Sequence, residues 1–380
     1  MTETTLDFER QKQAKRLASI ERRLMLVELI IGTFYIIAWM VFEWSVDLRN
    51  FLLSHTHNPW FVVLGFAAVF GGIYVLISLP LLIYDSYLLP HRYGLSTQAF
   101  KDWMIDQIKG ALLGVVLGVL LIELMYALLR AAPQTWWLWL GLVLFVFSIL
   151  LANLAPVLLF PIFNKFRPLG EEHADLVERL MRLAEKAKTH VEGVYVFDMS
   201  RRTTTANAAL TGLGKTRRII LGDTLLEQYD ADEIETVMAH EMAHQYHKDI
   251  PIGMIFQSVL TFLGLYIASV GLDLGVQAFG FEDLSDVAAM PLLILVLGFY
   301  GLLTMPLENA CSRWRERRAD QFALEITGMG DAYASALTKL ANQNLSDVDP
   351  EPWVEYMFHS HPPLGKRIAL AKAYSATHLE

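Results

Sequence analysis

The chain has 380 residues, of which 54% are hydrophobic and only 19% are charged, a balance too apolar for an ordinary soluble protein. Its formal net charge of −9 argues against a nucleic-acid partner. The single cysteine, Cys311, excludes an intrachain disulfide and a zinc site built from several cysteines, so the chemistry must rely on His, Asp and Glu.

Four long apolar runs follow a polar, cytoplasmic N-terminal arm, residues 1–23. A transmembrane helix needs about 20 apolar residues. We therefore predict four spans within residues 24–163, namely Leu24–Trp44, Trp60–Tyr84, Ala111–Leu129 and Trp136–Phe163. The arm is charged and no small-residue cleavage site follows the first run, so we expect no cleavable signal peptide.

The composition then turns polar, and residues 164–249 are predicted to form a cytoplasmic α+β domain. Glu171–His190 has the apolar spacing of a helix. Gly193–Met199 and Arg217–Leu221 are typical of strands and are candidates for a hairpin. The Gly-containing stretch between them, Thr203–Gly214, is predicted to be a polar connection.

A helix start is predicted at about Ala231. Asp230 is a favourable N-cap residue, and Glu233 stands three residues later as its capping-box partner. The predicted helix runs toward the next apolar run, which puts its C-terminal end at the membrane face.

Two more apolar runs, at about Ile250–Leu272 and Met290–Leu307, complete six predicted spans, with residues 250–307 as the second membrane segment and 308–380 polar again. An even number of spans puts both termini on one side. Lys and Arg are concentrated in the short loops on that side, so we expect the termini and the α+β domain in the cytoplasm.

We expect an integral membrane protein of the plasma or inner membrane of a prokaryote. The same positive-inside rule accounts for the arginines that follow the sixth span, which are Arg313, Arg315, Arg317 and Arg318. The last two residues, Leu379 and Glu380, could be a cloning remnant.

The predicted helix after Asp230 contains the pattern His-Glu-x-x-His, formed by His240, Glu241 and His244. Residues four apart share a helix face, so the two histidines could bind one zinc ion, with Glu241 beside the water that the ion activates. An ordinary amphipathic helix with two surface histidines is the alternative. His247 is a rival ligand, but three ligands on one straight helix fit tetrahedral geometry poorly.

A catalytic zinc ion needs a third protein ligand. Glu316 is our candidate, because the fifth and sixth spans together return the chain to the same membrane face. Asp320 lies four residues later on the same helical face and could accept a hydrogen bond from a ligand histidine. A charged interfacial helix would explain this spacing equally well.

These motifs together resemble the integral-membrane zinc metalloproteases that include the type I CAAX prenyl proteases and the HtpX-like proteases. Four stretches carry the resemblance: His240-Glu241-x-x-His244 with Glu316-x-x-x-Asp320, Pro161-Ile-Phe-Asn-Lys-Phe166, Asn207-Ala208 before the second strand, and His361-Pro-Pro-Leu-x-x-Arg367-Ile. The resemblance covers roughly Pro90 to Ile368. The segment around Asn164 and the four preceding spans favour the CAAX-type branch, whose eukaryotic members are longer and have seven spans.

The fold class expected is mainly α, a polytopic membrane helical bundle of about six spans with a cytoplasmic α+β zinc-metalloprotease domain. The resemblance implies peptide hydrolysis with one Zn²⁺ and with Glu241 as the general base. It further implies that His361 and Arg367 help to stabilise the oxyanion and that Asn207 holds the substrate backbone. A peptide could bind there as an added strand.

The substrate stays open at this point. CAAX-type processing of C-terminal peptides, with or without a prenyl group, and HtpX-like quality control of misfolded membrane proteins both fit. An inactive zinc-binding scaffold or chaperone is disfavoured by the retained Glu241, and a transporter by the lack of paired broken helices. Glu28 and Glu123 lie at membrane depth and could line a water-filled chamber or join an interhelical ion pair.

Overall fold

The computed structural model describes residues 4–212 and 214–378, so Leu379 and Glu380 lie outside it. Within these residues, six helices are long and apolar enough to cross a membrane, which confirms the predicted number of spans. The first part of the chain forms α1 (Phe8–Val41), α2 (Trp44–His55), α3 (Pro59–Ile83), α4 (Leu89–Arg92), α5 (Phe100–Ala131), α6 (Trp136–Leu154) and α7 (Phe160–Phe163). π-helical turns join α3 to α4 and α6 to α7.

A small domain with a four-stranded sheet follows α7, and we call it the sheet domain. Its strand order is β1-β2-β4-β3, which leaves β3 at an edge. The helices α8 and α10 pack on the sheet through a core that includes Leu180, Ile219 and Met238, all fully buried. The elements are β1 (Phe166–Pro168), α8 (Ala174–Lys186), β2 (Gly193–Phe197), β3 (Ala208–Thr211), β4 (Arg218–Gly222), α9 (Asp223–Leu226) and α10 (Ala231–Tyr246).

The predicted hairpin between Gly193–Met199 and Arg217–Leu221 is wrong. The two strands are neighbours, but β2 and β4 run parallel. The connection predicted as a loop contains β3, which pairs antiparallel with β4 and forms the actual hairpin. Gly212 and Gly214, with φ of 87° and 60°, adopt left-handed conformations that open the turn between β3 and β4.

Five helices complete the fold: α11 (Asp249–Phe279), α12 (Met290–Thr327), α13 (Gly330–Gln343), α14 (Pro352–Phe358) and α15 (Leu364–His378). The predicted sixth span, about Met290–Leu307, and the polar helix predicted after it lie on one helix. This helix, α12, has 38 residues and continues through Pro306 to Thr327. The second half of α12 packs against α10, and this packing keeps the helix unbroken beyond the apolar run.

The capping box of α10 forms as predicted. The Asp230 side chain accepts from the Glu233 backbone N–H, and the Glu233 carboxylate accepts from the Asp230 N–H. At the other end, Lys248 takes a left-handed conformation with φ of 57°. This reversal separates α10 from α11 and turns the chain back toward the helix that has just ended.

The predicted N-terminal arm is helical from Phe8 and contacts the loop after α13. The Arg10 guanidinium donates to the Asn342 carbonyl, and Gln11 Nε2 donates to the Ser346 carbonyl at 3.3 Å. Between them, Leu345 has a positive φ of 49° and is buried against α1 and α4. A left-handed leucine is strained, so contacts with α1 stabilise this loop conformation.

The same loop contacts the segment that leads into β3. The Asn344 side chain accepts from the Ala206 N–H at 2.9 Å and donates to the Ala206 carbonyl at 3.1 Å. Gln343 Nε2 donates to the Thr204 carbonyl at 2.8 Å. The edge strand is thereby tied, through this loop, to the first turn of α1.

The two intramembrane glutamates occupy different surroundings. Glu28 is exposed on α1, whereas Glu123 on α5 is buried and neither of its carboxylate oxygens has a hydrogen-bond partner. Among the described residues, neither forms an ion pair, so the interhelical ion pair considered above is not found.

Close packing of α11 against α12 depends on small residues. At Gly264, an added Cβ would lie 2.7 Å from Cε1 of Tyr300 on α12. The Tyr300 ring cannot swing away freely, because its hydroxyl donates to the Leu260 carbonyl at 2.8 Å. Small residues at helix contacts are typical of membrane bundles, where close van der Waals packing replaces the hydrophobic effect.

We expect Gly264→Ala to lower the free energy of unfolding by about 1–3 kcal/mol, because the methyl group overpacks this contact. Gly298→Ala is the matched control on α12, since nothing lies within 4 Å of an added Cβ there. Thermal unfolding of the purified protein in detergent measures the difference. Equal stability of the two variants would contradict the proposed packing constraint.

Candidate active site

Three side chains from two helices converge at the contact between α10 and α12. His240 and His244 lie one turn apart on α10, and Glu316 reaches them from α12. One nitrogen or oxygen atom of each residue lies within 4.8 Å of the others. His240 and Glu316 are buried, with 6% of the surface of each residue exposed.

Each histidine nitrogen that faces Glu316 lies from one of its oxygens at the distance expected for two ligands of a tetrahedral metal site. His240 Nε2 lies 3.2 Å from Glu316 Oε2, and His244 Nε2 lies 3.5 Å from Glu316 Oε1. Two ligands at about 2.0–2.1 Å from a zinc ion are about 3.3 Å apart at the tetrahedral angle. Glu316 Oε2 is also buried, and no donor of the described residues approaches it with hydrogen-bond geometry. This donor set therefore fits Zn²⁺.

The other ring nitrogen of His240 belongs to a buried polar network. Asp320 Oδ1 lies 2.9 Å from His240 Nδ1 and accepts from the Tyr333 hydroxyl at 2.6 Å. The Arg367 guanidinium donates to both Asp320 oxygens and to the Tyr333 hydroxyl. Such partners fix the ring orientation and tautomer of a metal-binding histidine.

His244 has its own carboxylate partner. Asp249, the first residue of α11, places Oδ2 2.9 Å from His244 Nδ1. The left-handed turn at Lys248 brings Asp249 back beside the helix that carries His244. Both imidazoles thus direct Nδ1 at an aspartate and Nε2 at Glu316, the arrangement that presents two fixed ligand atoms to one ion.

A cavity of about 300 Å³ opens beside His240, and four further residues singled out from the sequence line it. Glu241, Asn207, His361 and Arg367 all face this cavity. His361 lies at its open side, with Nε2 3.4 Å from Glu316 Oε1. The free edge of β3 begins at the same place, because Asn207 directly precedes that strand.

His247 takes no part in this group. Its ring packs against Tyr246 and Phe322, with ring centroids 5.2 Å and 5.7 Å away. It is the residue at which α10 ends, so its side chain leaves the metal-binding face. Among the described residues, the group that could hold a metal ion consists of His240, His244 and Glu316.

Two residues of the site were missed by sequence reasoning. Asp249 lies five positions after His244, a spacing that does not share a face on a continuous helix, and only the break at Lys248 brings it close. Tyr333 lies 93 positions from His240, and no local pattern connects the two. A helix break inferred between His247 and Asp249 could have indicated the first, whereas nothing in the sequence indicated the second.

The carboxylates also change the proton affinity of His240. Burial and the charge of Arg367 lower its pKa, but hydrogen bonds with Asp320 and Glu316 and the charge of Asp320 outweigh them and raise the pKa to about 9. A proton on His240 therefore competes with a metal ion near neutral pH.

Comparisons with known proteins point to one family. The model of peptidase family M48 matches residues 171–375. A second model, described as the CAAX prenyl protease N-terminal region with five membrane helices, matches residues 3–165. In the described part of that second range, four helices are long and apolar enough to span a membrane.

Individual relatives agree with the family models. The chain is 30% identical over 363 residues to a Bacillus subtilis protein named uncharacterized metalloprotease YhfN, covering 94% of this chain and 84% of that protein. It is 31% identical over 350 residues to CAAX prenyl protease 1 of Saccharomyces cerevisiae, covering 86% of this chain and 76% of that protein. The crystal structure of S. mikatae Ste24p has a similar fold, with a TM-score of 0.86, 23% identity and coverage of 96% and 90% of the two chains.

We expect Asp249→Asn to weaken zinc binding by about 10- to 100-fold, the usual cost of removing a carboxylate that orients a ligand histidine. Titration of the metal-free protein with zinc, in competition with a chelator of known affinity, measures the change. Glu227→Gln, at an exposed position of the sheet domain, is the control. Wild-type affinity in Asp249→Asn would show that His244 needs no such partner.

Zinc affinity should rise with pH from about 6 toward 9. The raised pKa means that His240 is protonated below about 9 and must release that proton when it becomes a ligand. Calorimetric titrations in buffers of different ionisation enthalpy report the protons released. An affinity that is flat over this range would contradict the competition.

Proposed function

The chain belongs to peptidase family M48 and is an integral membrane protein, and from this premise we propose that it is a zinc endopeptidase acting at the cytoplasmic face of the membrane. One observation carries the proposal. His240 Nε2 and His244 Nε2 lie 3.2 Å and 3.5 Å from the two oxygens of the Glu316 carboxylate, and Glu241 stands next to His240 on the same helix.

His240, His244 and Glu316 would hold the zinc ion, and Asp320 and Asp249 would orient the two imidazoles. When bound, the ion supplies Lewis-acid chemistry, which polarises the scissile carbonyl and makes a water molecule acidic. Three protein ligands are the number that catalytic zinc sites use, and these residues would supply them.

Glu241 serves as the general base in this proposal. It takes a proton from the attacking water and passes it to the leaving nitrogen. His361 lies at the opening of the same cavity, where its imidazole can donate to the developing oxyanion. Arg367 holds Asp320 and also lines the cavity, so it supports the metal site and the oxyanion from one place.

The peptide backbone would bind as an extra strand. β3 is an edge strand with one side unpaired, and it starts beside the cavity that contains Glu241. A substrate running antiparallel to β3 would hydrogen-bond to that edge, with the exposed side chain of Asn207 next to the scissile bond. Alternating substrate side chains would then point into the cavity.

The orientation in the membrane is part of the proposal. The short loops on the side of the sheet domain carry the excess of Lys and Arg, which supports a cytoplasmic active site and cytoplasmic termini in the plasma or inner membrane of a prokaryote. The candidate metal centre lies where α10 meets α11, next to the start of a membrane span.

The substrate is a peptide or a protein segment close to the membrane. Several relatives are named CAAX prenyl protease 1, which supports CAAX-type processing of C-terminal peptides, including prenylated ones. Proteolysis of misfolded membrane proteins is the second candidate, and it is favoured by a metal centre that lies directly at a membrane span. A non-catalytic scaffold would not need Glu241 in the cavity beside His240.

Glu241→Gln should keep zinc and lose peptide cleavage by at least about 100-fold, because the general base is removed while the ligands stay in place. Zinc content follows from elemental analysis. Mass spectrometry identifies the products from a prenylated CAAX peptide and from its unprenylated control.

Glu227→Gln serves again as the control and should cleave like the wild type. Unchanged cleavage in Glu241→Gln would refute the mechanism. Equal cleavage of the two peptides would remove the prenyl group from the specificity, and quality-control proteolysis would then be the better assignment.

A further inference from the structure

A second cavity lies on the other side of the metal-binding group, within the membrane bundle. Its volume is about 480 Å³, and it is lined by α6, α11 and α12. His244 and Glu316 form one end of it, and the lining continues along α11 from Asp249 to Thr261, roughly 18 Å at 1.5 Å per residue. An occupant of this cavity would therefore touch the metal ligands directly.

Three of the hydroxyl groups that line this cavity are already satisfied by their own helices. Ser148 donates to the Phe145 carbonyl at 2.7 Å, and Ser258 donates to the Met254 carbonyl at 2.7 Å. Thr261 does the same one turn back along α11. These three groups need no partner from a ligand, and the aliphatic and aromatic side chains between them need none either. The other neutral polar side chains of the lining are Gln257 and Ser312.

Arg315 is different, because it brings a full positive charge to this cavity. Its side chain is half-buried, and Nη1 donates to the Asp249 carbonyl at 3.4 Å. The guanidinium lies against Gly253, where an added Cβ would be only 2.5 Å from Nη1. No carboxylate of the described residues lies within ion-pair distance of it.

The neighbouring arginines of α12 make other contacts or face solvent. Arg313 is buried and donates to the carbonyls of Glu355 and His359, so it holds the end of α14. Arg318 lies over the ring of Trp314 at 4.4 Å. Arg317 is exposed. Positive-inside topology accounts for a basic segment here, but it does not account for one guanidinium directed into the cavity beside the metal ligands.

An arginine stays protonated under all physiological conditions, and its planar fork matches the two oxygens of a carboxylate. A half-buried guanidinium without a counter-ion therefore favours an anionic ligand. We propose that Arg315 binds a carboxylate of the peptide substrate close to the scissile bond and so gives the protease a preference for peptides that carry a negative charge there.

The carboxylate could come from an Asp or Glu side chain or from the free C-terminus of the peptide. Both sources have the same chemistry, and the experiment separates them. The inference rests on the proposed function, because only a protease would bring a peptide to this cavity. It goes beyond that function by naming a residue that selects the substrate.

The test uses the zinc-loaded, detergent-purified protein and one peptide sequence that the wild type cleaves. Asp or the isosteric Asn is placed at each position around the scissile bond, and each peptide is made with a free and with an amidated C-terminus. The wild type should prefer one acidic position, or the free terminus, by roughly 10- to 100-fold in kcat/KM, the range expected for a hydrogen bond to a charged group.

Arg315→Gln should bring that ratio close to one, and Arg315→Glu should reverse it in favour of Lys at the same position. A reversed preference cannot arise from a misfolded protein. Arg317→Gln removes the same charge two residues away, outside the cavity, and should keep the wild-type ratio.

The outcomes are distinct. A preference for one acidic position assigns the carboxylate to a side chain, and a preference for the free terminus assigns it to the end of the peptide. Cleavage of all peptides at similar rates, or a preference that survives in Arg315→Gln, overturns the role of Arg315 and leaves the proposed protease function intact. Cleavage of none of them by the wild type overturns the proposed function and this inference together.

Discussion

The carboxylate of Asp320 is almost completely buried, and three hydrogen-bond donors from three other helices surround it. They are His240 Nδ1 from α10, the Tyr333 hydroxyl from α13 and the Arg367 guanidinium from α15. A buried charge is tolerated only when such partners satisfy it. Removing one partner leaves the buried charge incompletely compensated, which destabilises the folded protein. The four helices must therefore come together as a unit before His240 can hold the orientation that a metal ion requires.

The candidate metal centre is consequently a property of the assembled domain and not of α10 alone. Glu316 and Asp320 arrive on α12, whose unbroken course from the membrane bundle to Thr327 fixes their height relative to α10. On a helix each residue is rotated by about 100° from the one before it. This rotation explains why three arginines spaced two apart have different surroundings. Arg313 binds the carbonyl groups at the end of α14, Arg315 lines a cavity, and Arg317 lies at the exposed surface.

Local patterns in the sequence were sufficient for the features that depend on local physics. Six apolar runs predicted six spans, and the capping box at Asp230 and Glu233 predicted the start of α10 to within a residue. The His-Glu-x-x-His spacing placed both imidazoles on one helix face for the same reason. The third metal-binding residue needed topology as well as spacing, since it depends on α11 and α12 returning to one face.

Features that depend on long-range packing were not predictable. The stretch that forms β3 is short and weakly patterned, and it is a strand because the edge of β4 is available to it. Asp249 reaches His244 only through the left-handed turn at Lys248, and Tyr333 only through the docking of α13. The structure also shows that the arginines after the sixth span make different contacts, whereas composition alone shows only that the segment is basic.

The contacts of the first turn of α1 have a practical consequence. Arg10 and Gln11 stabilise the loop that contains the strained Leu345, and the adjacent Asn344 fixes the peptide group of Ala206 just before the edge strand. An affinity tag or a signal sequence fused near the N-terminus is therefore attached a few residues from contacts that reach the proposed substrate-binding edge. Purification handles are better attached after α15, and a shortened N-terminus should be treated as a change to the binding site and not as trimming of a tail.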